Sequence, residues 1–241
     1  MDEGGFGSMP GGTPNEPESG ADDGRTGPPW EDPAEAGGYV SAYFKTAGAV
    51  LFRPQTTFLS MSVVPRLNKP LLYWFVPALL SSFVSTALSA VIGRVFRSIA
   101  TSAFGLPASE AASITPGLFC VAARIVPLFF LMAGYYHLLL RVFGGARRGF
   151  GATFRALAYV NGSLASISWV PCLGPFVALG WGTYLEIIAL RDVHETTTRR
   201  AATAVLVGIL GPLALIAVIL ALGFAGWMMR IFGGAAPAQM V

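Results

Sequence analysis

Residues 203–228 read TAVLVGILGPLALIAVILALGFAGWM, twenty-six residues without one charged side chain, with Arg230 just beyond. A helix rises about 1.5 Å per residue, and about 20 apolar residues cross the ~30 Å hydrocarbon core of a bilayer. This run is therefore long enough to span a membrane. Reading back from it, four further apolar runs have comparable length: 173–190 closed by Arg191, 152–171 ending at Pro171, 118–140 closed by Arg141, and 71–93 between Lys69-Pro70 and Arg94. The runs at 152–171 and 173–190 carry polar residues, and Pro171, Gly174 and Pro175 at their junction suit a tight hairpin.

Composition agrees with that reading. The 241 residues are 54% hydrophobic and 12% charged, with a mean hydropathy of +0.60. So little charge could not cover a water-soluble surface, since globular domains carry about a quarter charged residues. The net charge of +3 conceals an asymmetry. Nine acids against one Arg fall in the first 35 residues, whereas the remainder holds fifteen Lys or Arg and four acids. Residues 1–38 are rich in Gly, Pro, Ser and acids and lack apolar periodicity. They are predicted to be a disordered, acidic cytosolic tail, with no signal peptide.

Residues 39–68 form the next unit. Val40, Tyr43, Phe44, Ala47, Val50 and Leu51 recur at three- and four-residue spacing, as on one face of a helix. Pro54 interrupts the pattern, and Phe58, Leu59 and Met61 continue it. These pieces are too short to span. They read either as amphipathic helices lying in the interface or as helices packed on the bundle's own surface. The predicted fold class is thus all-α: an integral membrane helical bundle of five transmembrane helices over 69–230, preceded by amphipathic interfacial helices and followed by a short outer tail at 231–241.

Positive charge sets the orientation. With the N-terminus inside, ten basic residues (Arg53, Arg66, Lys69, Arg141, Arg147, Arg148, Arg155, Arg191, Arg199 and Arg200) lie on the inner side, against Arg94, Arg97 and Arg230 outside. Tyr73, Trp74, Tyr135 and Tyr136 fall near the inner boundary, and Trp169 and Trp227 near the outer. The expected topology places the N-terminus in the cytoplasm and the C-terminus outside.

Ionisable groups inside apolar runs are costly and mark candidate sites. His137, Arg155 and Glu186 should share a polar layer near the cytoplasmic face, with Tyr159 one turn from Arg155. Glu186 also extends a stripe of small residues, Gly174, Ala178 and Gly182, at steps of four, which permits close helix packing. The spacing predicts an Arg155–Glu186 ion pair with His137 nearby, acting either as a structural clamp or as a proton or ion relay. Arg124 is expected to snorkel outward. Cys120 and Cys172, both near the outer face, could be bridged or remain two buried thiols.

Other signals are negative. Gly144-Gly145 with Arg147 and Arg148 resembles a basic inner turn attractive to anionic headgroups, with no Walker spacing after it. No group has metal-ligand spacing. Two His and four acids after residue 35 leave little from which to build a catalytic constellation, and no cofactor is expected. The scattered basic residues do not suit nucleic acid.

The order of features is similar to the Yip family, the five-span Ypt/Rab-interacting membrane proteins, especially its bacterial members. Resembling residues run from Trp30-Glu31 through Phe52, Pro54 and Phe58, then Lys69-Pro70-Leu71 and Tyr73, to His137 ahead of Gly144-Gly145. They continue through Thr153, Phe154, Arg155 and Tyr159, Pro171, Gly174 and Trp181, and Asp192-Val193-His194 to Thr198, Arg200 and Ala201. The resemblance covers roughly residues 39–225. It implies a helical bundle with a cytosolic N-terminus that self-associates or pairs with relatives. The eukaryotic signature Asp-Leu-x-Gly-Pro before the first span is absent, which argues against Rab binding. Fourteen Arg against two Lys point to GC-rich coding and a bacterial inner membrane.

The function expected from these features is non-enzymatic: organising or scaffolding a membrane, with the lipid bilayer and a second copy or another membrane protein as partners. The competing expectation is a channel or transporter using the polar layer, with Gly211-Pro212 breaking the last helix. An embedded enzyme is the third reading.

Overall fold

A computed structural model describes residues 27–61, 67–105, 115–170 and 173–233. A 3-10 turn at Pro29–Glu31 leads to α1 (Tyr39–Phe52), α2 (Pro54–Leu59), α3 (Asn68–Phe104), α4 (Thr115–Val142) and α5 (Phe150–Ser168). Then come α6 (Leu173–Val177), a π-helical turn (Ala178–Gly182), α7 (Thr183–Val193) and α8 (Thr198–Gly233). Among the described residues there is no strand.

Proline punctuates these elements. Pro54 occupies the first turn of α2, where its missing N–H is not needed, and Pro70 does the same in α3. Pro77, Pro127 and Pro212 lie inside α3, α4 and α8. Gly211-Pro212 does not break the last helix, contrary to the sequence expectation: α8 runs unbroken through it. A proline removes one backbone hydrogen bond, and Gly208 and Gly211 on the preceding turn add no side-chain crowding there.

Helix α5 is the centre of the bundle. It packs most extensively on α3 and also touches α1, α4, α6 and α7, while α8 lies against α4 and α7. The α3–α5 crossing is close because Gly162 has no side chain: a Cβ there would sit 2.7 Å from Tyr73 Cδ1 and 2.9 Å from the Tyr73 carbonyl oxygen. Gly208 gives the α4–α8 crossing the same intimacy, with Tyr136 Cε1 2.9 Å from where its Cβ would be. Around these crossings the aromatic rings interlock. Trp74 stacks on Phe129 at 3.9 Å, and Tyr73 packs between Trp30, Tyr43 and Tyr159 at 5.4, 5.2 and 4.9 Å.

Four described helices are long and apolar enough to cross a membrane: Asn68–Ala103, Arg124–Val142, Leu173–Val193 and Thr198–Arg230. The fifth expected span corresponds to α5, which is present and 19 residues long but less apolar. The reason is its position. Thirteen of its residues are buried against other helices, so polar side chains such as Thr153, Arg155 and Ser163 find partners there, and the half-buried Asn161 reaches Glu186.

Two other expectations need correction. Residues 27–38 are ordered, not part of a disordered tail: Gly37 and Gly38, at φ +86° and +99°, turn the chain so that this strap lies along α1. The Trp30 amide donates to Thr46 Oγ1 at 2.9 Å, and its indole N–H donates to the Lys69 carbonyl at 2.8 Å. The apolar face of α1 is also divided. Ala47, Val50 and Leu51 are buried in the bundle, whereas Val40 and Phe44 are exposed with Tyr39 and Phe52.

Candidate functional site

The predicted polar residues enter three separate hydrogen-bonded groups and not one connected network.

The first is built on α5. The guanidinium of Arg155, 3% exposed, pairs through Nη2 with Oε1 of Glu31, and the Tyr159 hydroxyl donates to the same oxygen at 2.8 Å. This corrects the expected Arg155–Glu186 pair. The carboxylate comes from the strap before α1, which the Trp30 anchors and the Lys69 amine, donating to the Glu31 carbonyl, hold in place. A charge so deep needs a partner, and the strap delivers one that the tail-like composition of residues 1–38 concealed. The sole Trp within that acidic stretch was the available signal.

The second group joins α4, α5 and the α7–α8 connection. The Arg148 amide donates to His194 Nδ1 at 3.2 Å. Because an amide can only donate, Nδ1 is unprotonated and Nε2 carries the hydrogen of neutral His194. Nε2 donates to Thr153 Oγ1 at 2.8 Å, and the Thr153 hydroxyl donates on to His137 Nδ1, also at 2.8 Å. One backbone N–H therefore fixes the direction of the chain. His194 is fully buried, and burial, then the nearby His137 and Arg148, push its pKa down to about 4. The loop is clamped from outside: Arg148 Nη2 meets Glu195 Oε1 at 2.5 Å, and Arg147 and Arg200 donate to the Glu195 and Gly144 carbonyls, each at 3.1 Å. Sequence reasoning named His137 but not its partners, because their contacts join residues 16 and 41 positions apart.

The third group surrounds Glu186. Asn161 Nδ2 donates to Glu186 Oε1 at 3.4 Å, and the Tyr136 hydroxyl faces the same carboxylate. Beside it lies a cavity of about 330 Å³ bounded by α4, the α6–α7 rod and α8. The small-residue stripe does not stay on one face of that rod. A Cβ on Gly174 would overlap the Ser168 carbonyl, and one on Gly182 would lie 2.9 Å from Leu164, so both glycines face α5. Ala178 lines the cavity instead. The π turn Ala178–Gly182 accounts for the change, since its wider pitch shifts the register by about one residue.

Arg124 is exposed on α4. The Cys120–Cys172 question lies outside the described residues, as does Pro171 of the hairpin. Among the described residues no three His, Cys, Asp or Glu side chains converge as metal ligands.

The family model for the Yip1 domain matches residues 48–221, from the middle of α1 to the apolar half of α8. The chain belongs to the Yip1 domain family. That stretch contains α5 and the helices packed on it except the first part of α1, together with all three polar groups except the Glu31 strap. No curated protein and no solved structure matches the chain. With its four long apolar helices, this Yip1 family member is a membrane protein.

Proposed function

We propose that this protein is a non-enzymatic organiser of a bacterial inner membrane, acting by self-association or by pairing with another membrane protein. The observation that carries the reading is the bare apolar surface of α3 and α8. Leu213, Leu215, Ile216, Leu220, Leu222, Phe224 and Trp227 are exposed on different sides of α8, and Val91, Val95 and Phe96 on α3. A helix apolar all round and uncovered by its own chain is surrounded by lipid or by other apolar helices. Tyr39, Val40, Phe44 and Phe52 on α1 and Leu59 on α2 are suited to sit at the membrane boundary as interfacial helices.

In this reading α5, about 28 Å long, is a fifth crossing shielded by its neighbours. The N-terminus then lies in the cytoplasm and the C-terminus outside, in keeping with the ten-to-three excess of basic residues on the inner side. A reporter fused after Val241 should be active only outside the cytoplasm; activity inside would remove α5 from the crossings. Photo-crosslinkers at Leu213, Leu220 and Val91 in native membranes should give a discrete oligomer or partner band. Lipid adducts of a monomer alone, at all three positions, would overturn the organiser reading.

The buried Glu186 beside a π turn favours a second reading, passage of an ion or solute. Flux into reconstituted vesicles that disappears in Glu186→Gln would select it.

A further inference from the structure

The geometry points to the Glu186 cavity as a binding site for the headgroup of an aminophospholipid of the surrounding bilayer, with the primary ammonium at Glu186 and the acyl chains outside, on the exposed flank at Leu179.

Four observations converge on that occupant. First, Glu186 is 9% exposed, and its hydrogen-bonding neighbours are neutral: Asn161, whose Nδ2 also donates to the Leu157 carbonyl at 3.0 Å, and Tyr136. Among the described residues no Lys or Arg lines the cavity. A carboxylate removed from water without a cation invites one. Second, the remaining wall is mostly apolar. It includes Pro175, Leu179 and Ile209, while the Thr183 hydroxyl is engaged with the Leu179 carbonyl. One carboxylate and one phenol are too few oxygens for a metal ion. They suit the three donors of an ammonium group, with Tyr136 Oη keeping lone pairs to accept one.

Third, the cavity opens sideways. Leu179 is 58% exposed and Pro175 is exposed as well, so the route in crosses the apolar flank of a candidate span. An occupant arriving that way carries hydrocarbon. The volume of about 330 Å³ accommodates roughly ten heavy atoms at about 30 Å³ each, enough for the aminoethyl phosphate, while the glycerol and acyl chains stay outside along the exposed flank. Fourth, the depth fits. Glu186 lies five residues, about 7.5 Å of helix, from Arg191 near the end of the rod. An ammonium can reach it from the headgroup region while the chain continues towards Leu179 and Pro175, deeper in the membrane. The π turn supports the arrangement by placing Ala178, a small side chain, on the cavity wall; such turns recur at binding sites.

The proposal needs the chain to lie in a bilayer but does not depend on self-association, and its readout is independent of oligomer state. Native mass spectrometry of the full chain in detergent, titrated with dioleoyl-phosphatidylethanolamine or dioleoyl-phosphatidylcholine, tests it. The first lipid should be retained about tenfold better than the second, which has no N–H to donate. Glu186→Gln should abolish the preference, and Tyr136→Phe should reduce it about threefold. Equal retention of the two lipids, or an unchanged preference in Glu186→Gln, overturns the proposal.

Should Glu186→Gln fail to fold, Ile209→Trp provides the second variant. It fills the cavity, leaves the carboxylate intact, and should lose the preference too; a preference that persists counts against the site. A hydrophobic carbodiimide that labels Glu186 gives an independent arm. Phosphatidylethanolamine should protect and phosphatidylcholine should not. Protection by millimolar ethylamine equal to that by the lipid would show a free amine as the ligand and overturn the assignment.

Discussion

The two ends of the bundle are built on different principles. At one end α1, α2, α5, α7 and the first turns of α3 and α8 interlock through aromatic rings, glycine crossings and buried hydrogen bonds. Tyr73 there donates to or accepts from Ser163 at 2.8 Å, and the Tyr43 hydroxyl donates to the Gly162 carbonyl at 2.9 Å. At the other end the later turns of α3 and α8 project apolar side chains that touch little of their own protein. The first end carries its own specificity, because a buried polar group is satisfied in only one arrangement. The second end takes its stability from whatever surrounds it. A membrane protein need not enclose all its apolar surface, and this one encloses it mainly where polar groups must be kept from lipid.

The largest effect that would separate the ends is loss of the strap's charge. Glu31→Ala should destabilise the protein by ~3 kcal/mol, the lower part of the range for orphaning a buried ion, because Glu31 retains 19% exposure. Thermal unfolding in detergent would measure it, and Glu31→Ala combined with Arg155→Met should recover part of the loss. An unchanged melting temperature in the single variant would show that the strap is not structural.

Acid offers a second way to test the packed end. The unfolded chain protonates His194 near 6.5, whereas the folded chain holds it neutral down to about 4. Between those values the unfolded state binds more protons, so the stabilisation is complete above 6.5 and is lost as pH falls towards 4. The drop should be on the order of 3 kcal/mol, at 1.36 kcal/mol per pKa unit, and should be absent from His194→Gln. Matching pH profiles for the two proteins would remove His194 as the cause.

A smaller contrast comes from glycines. Gly162→Ala forces a methyl into Tyr73 and should cost about 2 kcal/mol, whereas a Cβ on Gly223 or Gly226 of α8 meets nothing within 4 Å. Alanine at either α8 site should be neutral or slightly stabilising, because glycine is a poorer helix former. Smallest of all, Leu220→Ala should change detergent stability by less than about 0.5 kcal/mol. A fall of 2 kcal/mol there would mean that α8 is covered by a second copy even in detergent.

The apolar end was the more legible in the sequence. An uncharged run such as residues 203–228 carries its meaning in length and composition, and most of α8 follows from that alone, whereas α3 continues past Arg94, where its apolar run ends, to Phe104. At the packed end the signal is diluted, because α5 is helical and central yet carries Thr153, Arg155, Asn161 and Ser163, each satisfied by a residue distant in sequence. Arg155 and Glu186 stand out in the sequence as charges inside apolar runs, but proximity along neighbouring runs suggests a pairing other than the Arg155–Glu31 one found. Nothing local could reveal that Glu31 travels across the fold to Arg155, or that a π turn swings Ala178 out of register with Gly174 and Gly182.

The strap also has a consequence for biogenesis. Glu31 leaves the ribosome 124 residues before Arg155, yet neither can neutralise the other until both exist. The segment translated first is thus among the last to find its place, and its docking works as a latch on a finished assembly. A chain clipped between Glu31 and Tyr39 would keep every helix and still lose the covalent hold on the closing carboxylate.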